Sequence, residues 1–195
     1  MVMKITGGKF KGRNVEARKD QSLRPTTGRV REAVFNMLMH GKFLNDERFK
    51  NPEGRNIIEG QKVVDIFCGT GILGLEAVSR GAEHATLIDQ NQSTIDIAWQ
   101  NINNTGANAR VIKSDSTRLP RAVQKCTLAF LDPPYNSGLS VPALKSLRDQ
   151  GWLANGAIVI LEHSNRDDFI APEKFVVLDD RDYNKTRITL MQYQE

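Results

Sequence analysis

The sequence predicts an α/β protein with a doubly wound, seven-stranded, mainly parallel sheet behind a short N-terminal β-hairpin and helix. Three observations predict it. From residue 63 onward, short apolar runs alternate with stretches at helical spacing, the pattern of repeated βαβ units. The first run, Val63-Val64-Asp65-Ile66-Phe67, passes directly into Cys68-Gly69-Thr70-Gly71-Ile72-Leu73-Gly74, a buried strand feeding a glycine-rich turn and a helix. A later run, Leu128-Ala129-Phe130-Leu131, stops at Asp132-Pro133-Pro134-Tyr135. Ligands of such sheets gather outside the carboxyl ends of the strands, near the reversal in strand order, and both motifs lie at such ends.

The elements follow in order. Residues 4–8 and 12–16 read as two strands joined through Lys9-Phe10-Lys11 at a basic tip. Arg24-Pro25-Thr26-Thr27 offers a Pro stop and a Thr N-cap to a helix over 28–40, with Val30, Val34, Met37 and Leu38 on one face. Arg29 and Arg31 fall in its first turn, the unfavourable end of the helix dipole for cations, and a nearby anionic ligand would resolve that conflict. Residues 42–60 are polar and turn-rich, a surface loop or short irregular helix. Strands are expected at 63–67, 85–89, 109–113, 127–131 and 157–161, with helices at 72–79, 92–103, 117–124 and 140–149 between them. Two strands then follow without a helix, 175–179 and 187–192, so the last pair is antiparallel.

At 195 residues, 39% hydrophobic and 26% charged, the chain has ordinary globular composition and enough length for a sizeable core. Its apolar runs are far too short for a bilayer span and its N-terminus has no apolar signal core, so no membrane partner and a cytoplasmic location are expected. Cys68 and Cys126, like His40, His84 and His163, lack metal-ligand spacing, so no metal and no disulfide framework are expected. Charge is unevenly placed. Residues 1–31 carry nine basic side chains against two acids, a net +7, which leaves −3 on the remainder of a +4 chain. That asymmetry points to a polyanion, with Lys9, Lys11, Arg13, Arg24, Arg29 and Arg31 as candidate phosphate contacts; a merely solvated charged face is the competing reading. The chain is divided accordingly into a basic docking extension, 1–41, and a catalytic domain, 42–195.

Asp132-Pro133-Pro134-Tyr135 has a chemistry of its own. The amine of a nucleobase is a poor nucleophile because its lone pair is delocalised into the ring. It improves when two acceptors draw off both hydrogens and leave the lone pair free to point elsewhere. Asp132 is one such acceptor, and the carbonyl of Pro133 or Pro134 is the other, since proline keeps its acceptor while losing its N–H. Tyr135 can stack on the base. The plainer reading is a strand stop and a turn cap. The glycine turn is also ambiguous, because Gly69, Gly71 and Gly74 with Asp89 twenty residues on match the dinucleotide fingerprint of a nicotinamide or flavin oxidoreductase. Three details count against that rival. Asp65 would repel a pyrophosphate and welcome a sulfonium or ammonium, Asp115-Ser116 adds a carboxylate at the same edge, and no hydride-transfer residue set follows.

Taken together, Ile5-Thr6-Gly7-Gly8-Lys9-Phe10-Lys11-Gly12-Arg13, Leu23-Arg24-Pro25-Thr26-Thr27, Asp65-Ile66-Phe67-Cys68-Gly69-Thr70-Gly71, Asp132-Pro133-Pro134-Tyr135 and Gly151-Trp152-Leu153 give the chain a family likeness over nearly its whole length. It resembles the class I S-adenosylmethionine-dependent methyltransferases, and within them the bacterial 16S ribosomal RNA guanine-N2 methyltransferases. The resemblance implies S-adenosyl-L-methionine as cofactor, with Asp65, Phe67, Gly69 and Gly71 around its amino-acid end, Asp89 and Gln90 at the ribose, and Asp115 and Ser116 at the adenine. It implies 16S ribosomal RNA or the small ribosomal subunit as partner, a monomer, and Asp132, Pro133, Pro134 and Tyr135 as the catalytic set. Guanine also has a chemical argument: its N1–H and N2–H2 donors suit a carboxylate, whereas adenine N1 is an acceptor. An adenine-N6 methyltransferase of DNA or RNA is the alternative, and an RNA-binding protein retaining an inactive methyltransferase fold is another. Two departures from the family pattern are mild. Tyr183-Asn184-Lys185-Thr186 replaces a Tyr-Gly-x-Thr turn, so Asn184 is expected to take the left-handed conformation. Cys68 stands where a small residue is usual, and it is read as packing rather than as a nucleophile.

Overall fold

The computed structural model describes residues 2–17, 28–41, 44 and 56–195. Arg24, the 24–27 helix start and most of the 42–60 loop lie outside the described residues. Two short strands, β1 (Val2–Lys4) and β2 (Asn14–Glu16), precede helix α1 (Gly28–His40). The sheet elements then alternate: β3 (Lys62–Ile66), α2 (Ile72–Ser79), β4 (His84–Asp89), α3 (Gln92–Thr105), β5 (Ala109–Lys113), β6 (Cys126–Leu131), α4 (Ser140–Asp149) and β7 (Leu153–Ser164), followed by β8 (Phe175–Tyr183) and β9 (Thr186–Tyr193). The seven strands lie in the order β5-β4-β3-β6-β7-β9-β8. All neighbours are parallel except β9, which runs antiparallel to both β7 and β8. Strand order reverses between β3 and β6, which places the glycine turn after β3 beside Asp132 after β6.

Alternation along β3 divides the interior in two. Val63 packs with Phe35, Leu38 and Leu75 on one face, whereas Val64 and Ile66 pack with Leu144, Leu147 and Trp152 on the other. The extension shares the first of these cores. Ile5, Phe10, Val15 and Val30 are buried in it, and Phe35 meets Phe130 of β6 with ring centroids 5.8 Å apart. Among the described residues, no helix is long and apolar enough to cross a membrane.

Three expectations are corrected. The N-terminal strands are shorter than 4–8 and 12–16, because residues 5–13 fold back onto the end of α2. There the Lys9 N–H donates to the Ser79 carbonyl at 2.6 Å and the Phe10 N–H to Ser79 Oγ at 2.8 Å, with Phe10 buried rather than at an open tip. Gly8 makes this approach possible: at φ +74° its missing Cβ would stand 1.7 Å from the Ser79 carbonyl oxygen. Residues 117–124 form no helix. Pro120 interrupts the ladder, and the segment is strapped instead to the end of α4, through Leu119 N–H to Ser146 Oγ at 2.9 Å and Trp152 Nε1 to the Pro120 carbonyl at 2.8 Å. Arg31, finally, is not a surface cation. It is 3% exposed, donates through Nη2 to the Lys4 carbonyl at 2.7 Å, and lies 3.7 Å from Glu76 of α2. The anion nearest Arg31 is therefore a buried carboxylate of this chain.

Candidate active site

A cleft of about 520 Å³ opens at the carboxyl ends of β3, β4 and β6, where the strand order reverses. Asp65, Phe67 and Gly69 line it from β3, Asp89 and Gln90 from β4, and Asp132, Pro133, Pro134 and Tyr135 from β6. Residues 67 positions apart in sequence thus share one cavity, of a size ordinary for a small-molecule site.

Asp65 is 1% exposed, and its Oδ2 accepts the Gly74 N–H of α2 at 2.9 Å. This carboxylate occupies the helix N-terminus where a dinucleotide pyrophosphate would sit, which disfavours the oxidoreductase reading. Burial pushes its pKa up to about 7; the Gly74 hydrogen bond opposes that rise, and the nearby Asp132 and Asp89 charges add to it. Gly74 lets the helix pack closely here, since a Cβ would lie 2.3 Å from Leu87 Cδ2 and require that buried side chain to shift. Gly69 and Gly71 turn the chain at φ +54° and +79°, and Phe67 joins them at +60°, a conformation costly for a residue with a side chain. Gly71 supports the turn from behind and does not itself line the cleft. Asp89 closes the turn by accepting the Gly69 N–H on Oδ2 at 3.2 Å and the Asn91 N–H on Oδ1 at 2.9 Å. Each oxygen keeps a further lone pair, which suits vicinal hydroxyls. Cys68 is buried, and burial holds its thiol well above the usual range, with Asp65 and Asp89 adding to the effect, so it is a packing residue.

On the opposite wall, the Asp132 N–H bonds the Ile66 carbonyl at 3.4 Å, tying the two strand ends together. The Pro134 carbonyl accepts the Ser137 N–H at 3.3 Å, which favours Pro133 as the second acceptor. The Tyr135 hydroxyl is held at 3.2 Å from Glu162 Oε1 and 2.6 Å from Thr186 Oγ1. A carboxylate only accepts, so Tyr135 donates to Glu162 and receives the Thr186 proton.

Asp115 and Ser116 are not among the cleft's lining residues. Asp115 Oδ1 accepts both the N–H and the hydroxyl of Thr117 at 2.8 Å; those two bonds hold its pKa below the usual carboxylate value and close the turn after β5. Lys9, Lys11, Arg13 and Arg29 are exposed; Arg13 Nη1 also donates to the Thr105 carbonyl at 2.5 Å, fastening the extension to α3. Sequence reasoning missed Glu162, Thr186, Met3 and Ala17. Glu162 could have been found by counting one residue beyond the Leu131–Leu161 pair of β6 and β7, and Thr186 from the Tyr183-Asn184-Lys185-Thr186 turn, but no local pattern marks Met3 and Ala17.

A strand order with β9 inserted antiparallel between β7 and β8, and a cleft carrying acids after β3, β4 and β6, define a class I methyltransferase. The chain belongs to the family described as conserved hypothetical protein 95, which it matches over residues 3–192. It is 35% identical to ribosomal RNA small subunit methyltransferase D of Escherichia coli, over 82% of this chain and 74% of that one. Among solved structures it is similar to a candidate methyltransferase of Escherichia coli, yhhF, at 30% identity and a TM-score of 0.78, covering 100% of this chain and 99% of the other. A candidate methylase of Haemophilus influenzae superposes with a TM-score of 0.76 at 25% identity, covering the whole of both chains.

Proposed function

We propose that this protein transfers a methyl group from S-adenosyl-L-methionine to the exocyclic N2 amine of one guanine in 16S ribosomal RNA. The observation that carries the reading is the meeting of two strand ends in one cleft: Asp65, Gly69 and Asp89 on one wall, and Asp132, Pro133 and Tyr135 on the other. The ribosomal RNA part rests on the relative named for small-subunit methylation and on the exposed Lys9, Lys11, Arg13 and Arg29.

The residues fit the cofactor. Asp65 provides a buried negative charge for its ammonium or sulfonium, and Asp89 provides acceptors for its ribose hydroxyls. When bound, it supplies an electrophilic methyl group. The chain's own residues do the rest. A guanine drawn out of its stack rests against Tyr135, whose ring is held by Glu162 and Thr186. Asp132 and the Pro133 carbonyl accept the two N2 hydrogens, which fixes the plane of the amine and frees its lone pair. Their contribution is orientation and preplaced dipoles, not strong basicity.

Mapping methylated nucleotides by mass spectrometry in small-subunit RNA, from cells with and without this protein, tests the reading. One N2-methylguanine should disappear with the gene. A change on adenine, on DNA alone, or on no nucleic acid would overturn it.

A further inference from the structure

The extension is fastened to the body at both ends of α2, and one of these fastenings reaches the glycine turn. At the far end, Glu76 accepts the Thr6 N–H at 2.8 Å and the Thr6 hydroxyl at 2.9 Å, while Ser79 takes the Lys9 and Phe10 N–H groups. At the near end stands Asn101 of α3, wholly buried. Its Oδ1 accepts the Glu16 N–H of β2 at 2.9 Å. Its Nδ2 donates at 3.0 Å both to the Glu16 carbonyl and to the carbonyl of Thr70, between Gly69 and Gly71. Only one orientation of the amide satisfies all three partners, so each of its hydrogens and its oxygen is committed. The turn that Asn101 grips contains Phe67 at φ +60°, a strained conformation that persists only while its surroundings hold it. Beside this grip, Met3 and Ala17 of the extension form part of the cleft wall.

We propose that Asn101 is a positioning residue that couples the two binding events: RNA seated on the extension steadies β2, and through Asn101 it holds the Thr70 turn in its cofactor-binding form. The proposal rests on the ribosomal RNA reading above. It makes the basic segment more than a docking patch. The wall it contributes and the turn it braces both belong to the cofactor cleft, so a loose extension means a loose turn. Coupling of this kind is reciprocal, so cofactor must tighten RNA binding by the same factor.

The test is calorimetric titration of the full chain with S-adenosylhomocysteine, with and without saturating deproteinised 16S ribosomal RNA, repeated with Asn101→Asp. That substitution keeps the shape but sets a carboxylate against the Glu16 and Thr70 carbonyls. In the unaltered protein RNA should lower Kd for S-adenosylhomocysteine about tenfold. In Asn101→Asp the factor should fall toward one while RNA binding keeps its salt dependence. A merely structural Asn101 would weaken both ligands and leave the factor intact, which overturns the proposal. So does RNA that binds the unaltered protein without changing S-adenosylhomocysteine affinity. RNA that does not bind at all refutes the ribosomal RNA reading itself and removes the coupling with it. Should Asn101→Asp not fold, hydrogen exchange on the unaltered protein decides the matter: RNA alone should slow the amides of residues 69–74, and unchanged exchange there sinks the coupling.

Discussion

The Tyr135 hydroxyl lies 2.6 Å from Thr186 Oγ1, a contact that joins the end of β6 to the start of β9 across 51 residues of sequence. It fixes the ring that closes the cleft, and burial pushes the phenol up to about 12, so the hydroxyl stays neutral and bonded throughout the working range. Two substitutions separate face from tether. Tyr135→Phe keeps the stacking face and loses the hydroxyl's bonds, so kcat/KM on 16S ribosomal RNA should fall by about 1 kcal/mol in transition-state terms. Tyr135→Ala loses the face as well and should cost about 1–3 kcal/mol more. Equal losses for the two would show that the ring's stacking face is not used.

Asp132→Ala should abolish methyl transfer while changing affinity for S-adenosylhomocysteine little, because this carboxylate is assigned to the base. Radiolabel incorporation and calorimetry on the same preparation check it. Substantial turnover by the variant would place the orientation of the amine elsewhere.

Cofactor affinity should depend on pH through Asp65. With its pKa raised to about 7 in the folded protein, Asp65 is largely protonated at pH 6 and must ionise to meet a cation. Affinity for S-adenosylhomocysteine should therefore weaken by roughly tenfold per pH unit below 7 and level off above 8, with a proton released on binding in the acid range. The sign for stability is the reverse. A raised carboxylate pKa favours the folded state most at acid pH and loses that contribution as pH climbs through about 7. Asp65→Asn should consequently raise the Tm of the cofactor-free protein at pH 8 and weaken S-adenosylhomocysteine binding, both measurable by calorimetry.

Lys9 and Lys11 are exposed on the segment docked against α2, so replacing both by Ala should flatten the dependence of RNA affinity on salt. Each lost phosphate contact should remove about 0.7–0.9 log units per decade of salt, read by filter binding across a salt series. Cofactor affinity without RNA should not move.

Arg31→Met should behave in the opposite way. Its guanidinium is buried with Glu76 and the Lys4 carbonyl, so the variant should lose stability on the order of 3 kcal/mol and leave the salt slope unchanged. Thermal denaturation and the same filter assay distinguish the two roles; a flattened slope for Arg31→Met would restore it as a phosphate contact.

Much of what local interactions govern was legible in the sequence alone, although the helix expected at 117–124 fails at Pro120. Runs of Val, Ile and Leu marked the seven sheet strands, and α1 ends at His40 as the sequence predicts. Asn184 takes φ +59° in the turn between β8 and β9, because Asn tolerates that conformation better than most residues. Asp65 and Asp132 were recognisable because each stands at the carboxyl end of an apolar strand, Asp65 just ahead of the glycine turn and Asp132 beside Pro133. Tertiary structure decided what those signals do not reach. Arg31 reads as one more cation in a basic segment until α2 brings Glu76 to it, and Lys9 and Lys11 read as a free tip until Ser79 captures the backbone between them. Glu162 and Thr186 gain their meaning from the pairing of β7 with β6 and β9, and Asn101 meets Glu16 from 85 residues away. Periodicity and turn chemistry act over a few residues, whereas buried polar groups take whichever partner the strand order sets opposite them; the strands were written in the sequence, and the partners were settled only when the sheet closed around them.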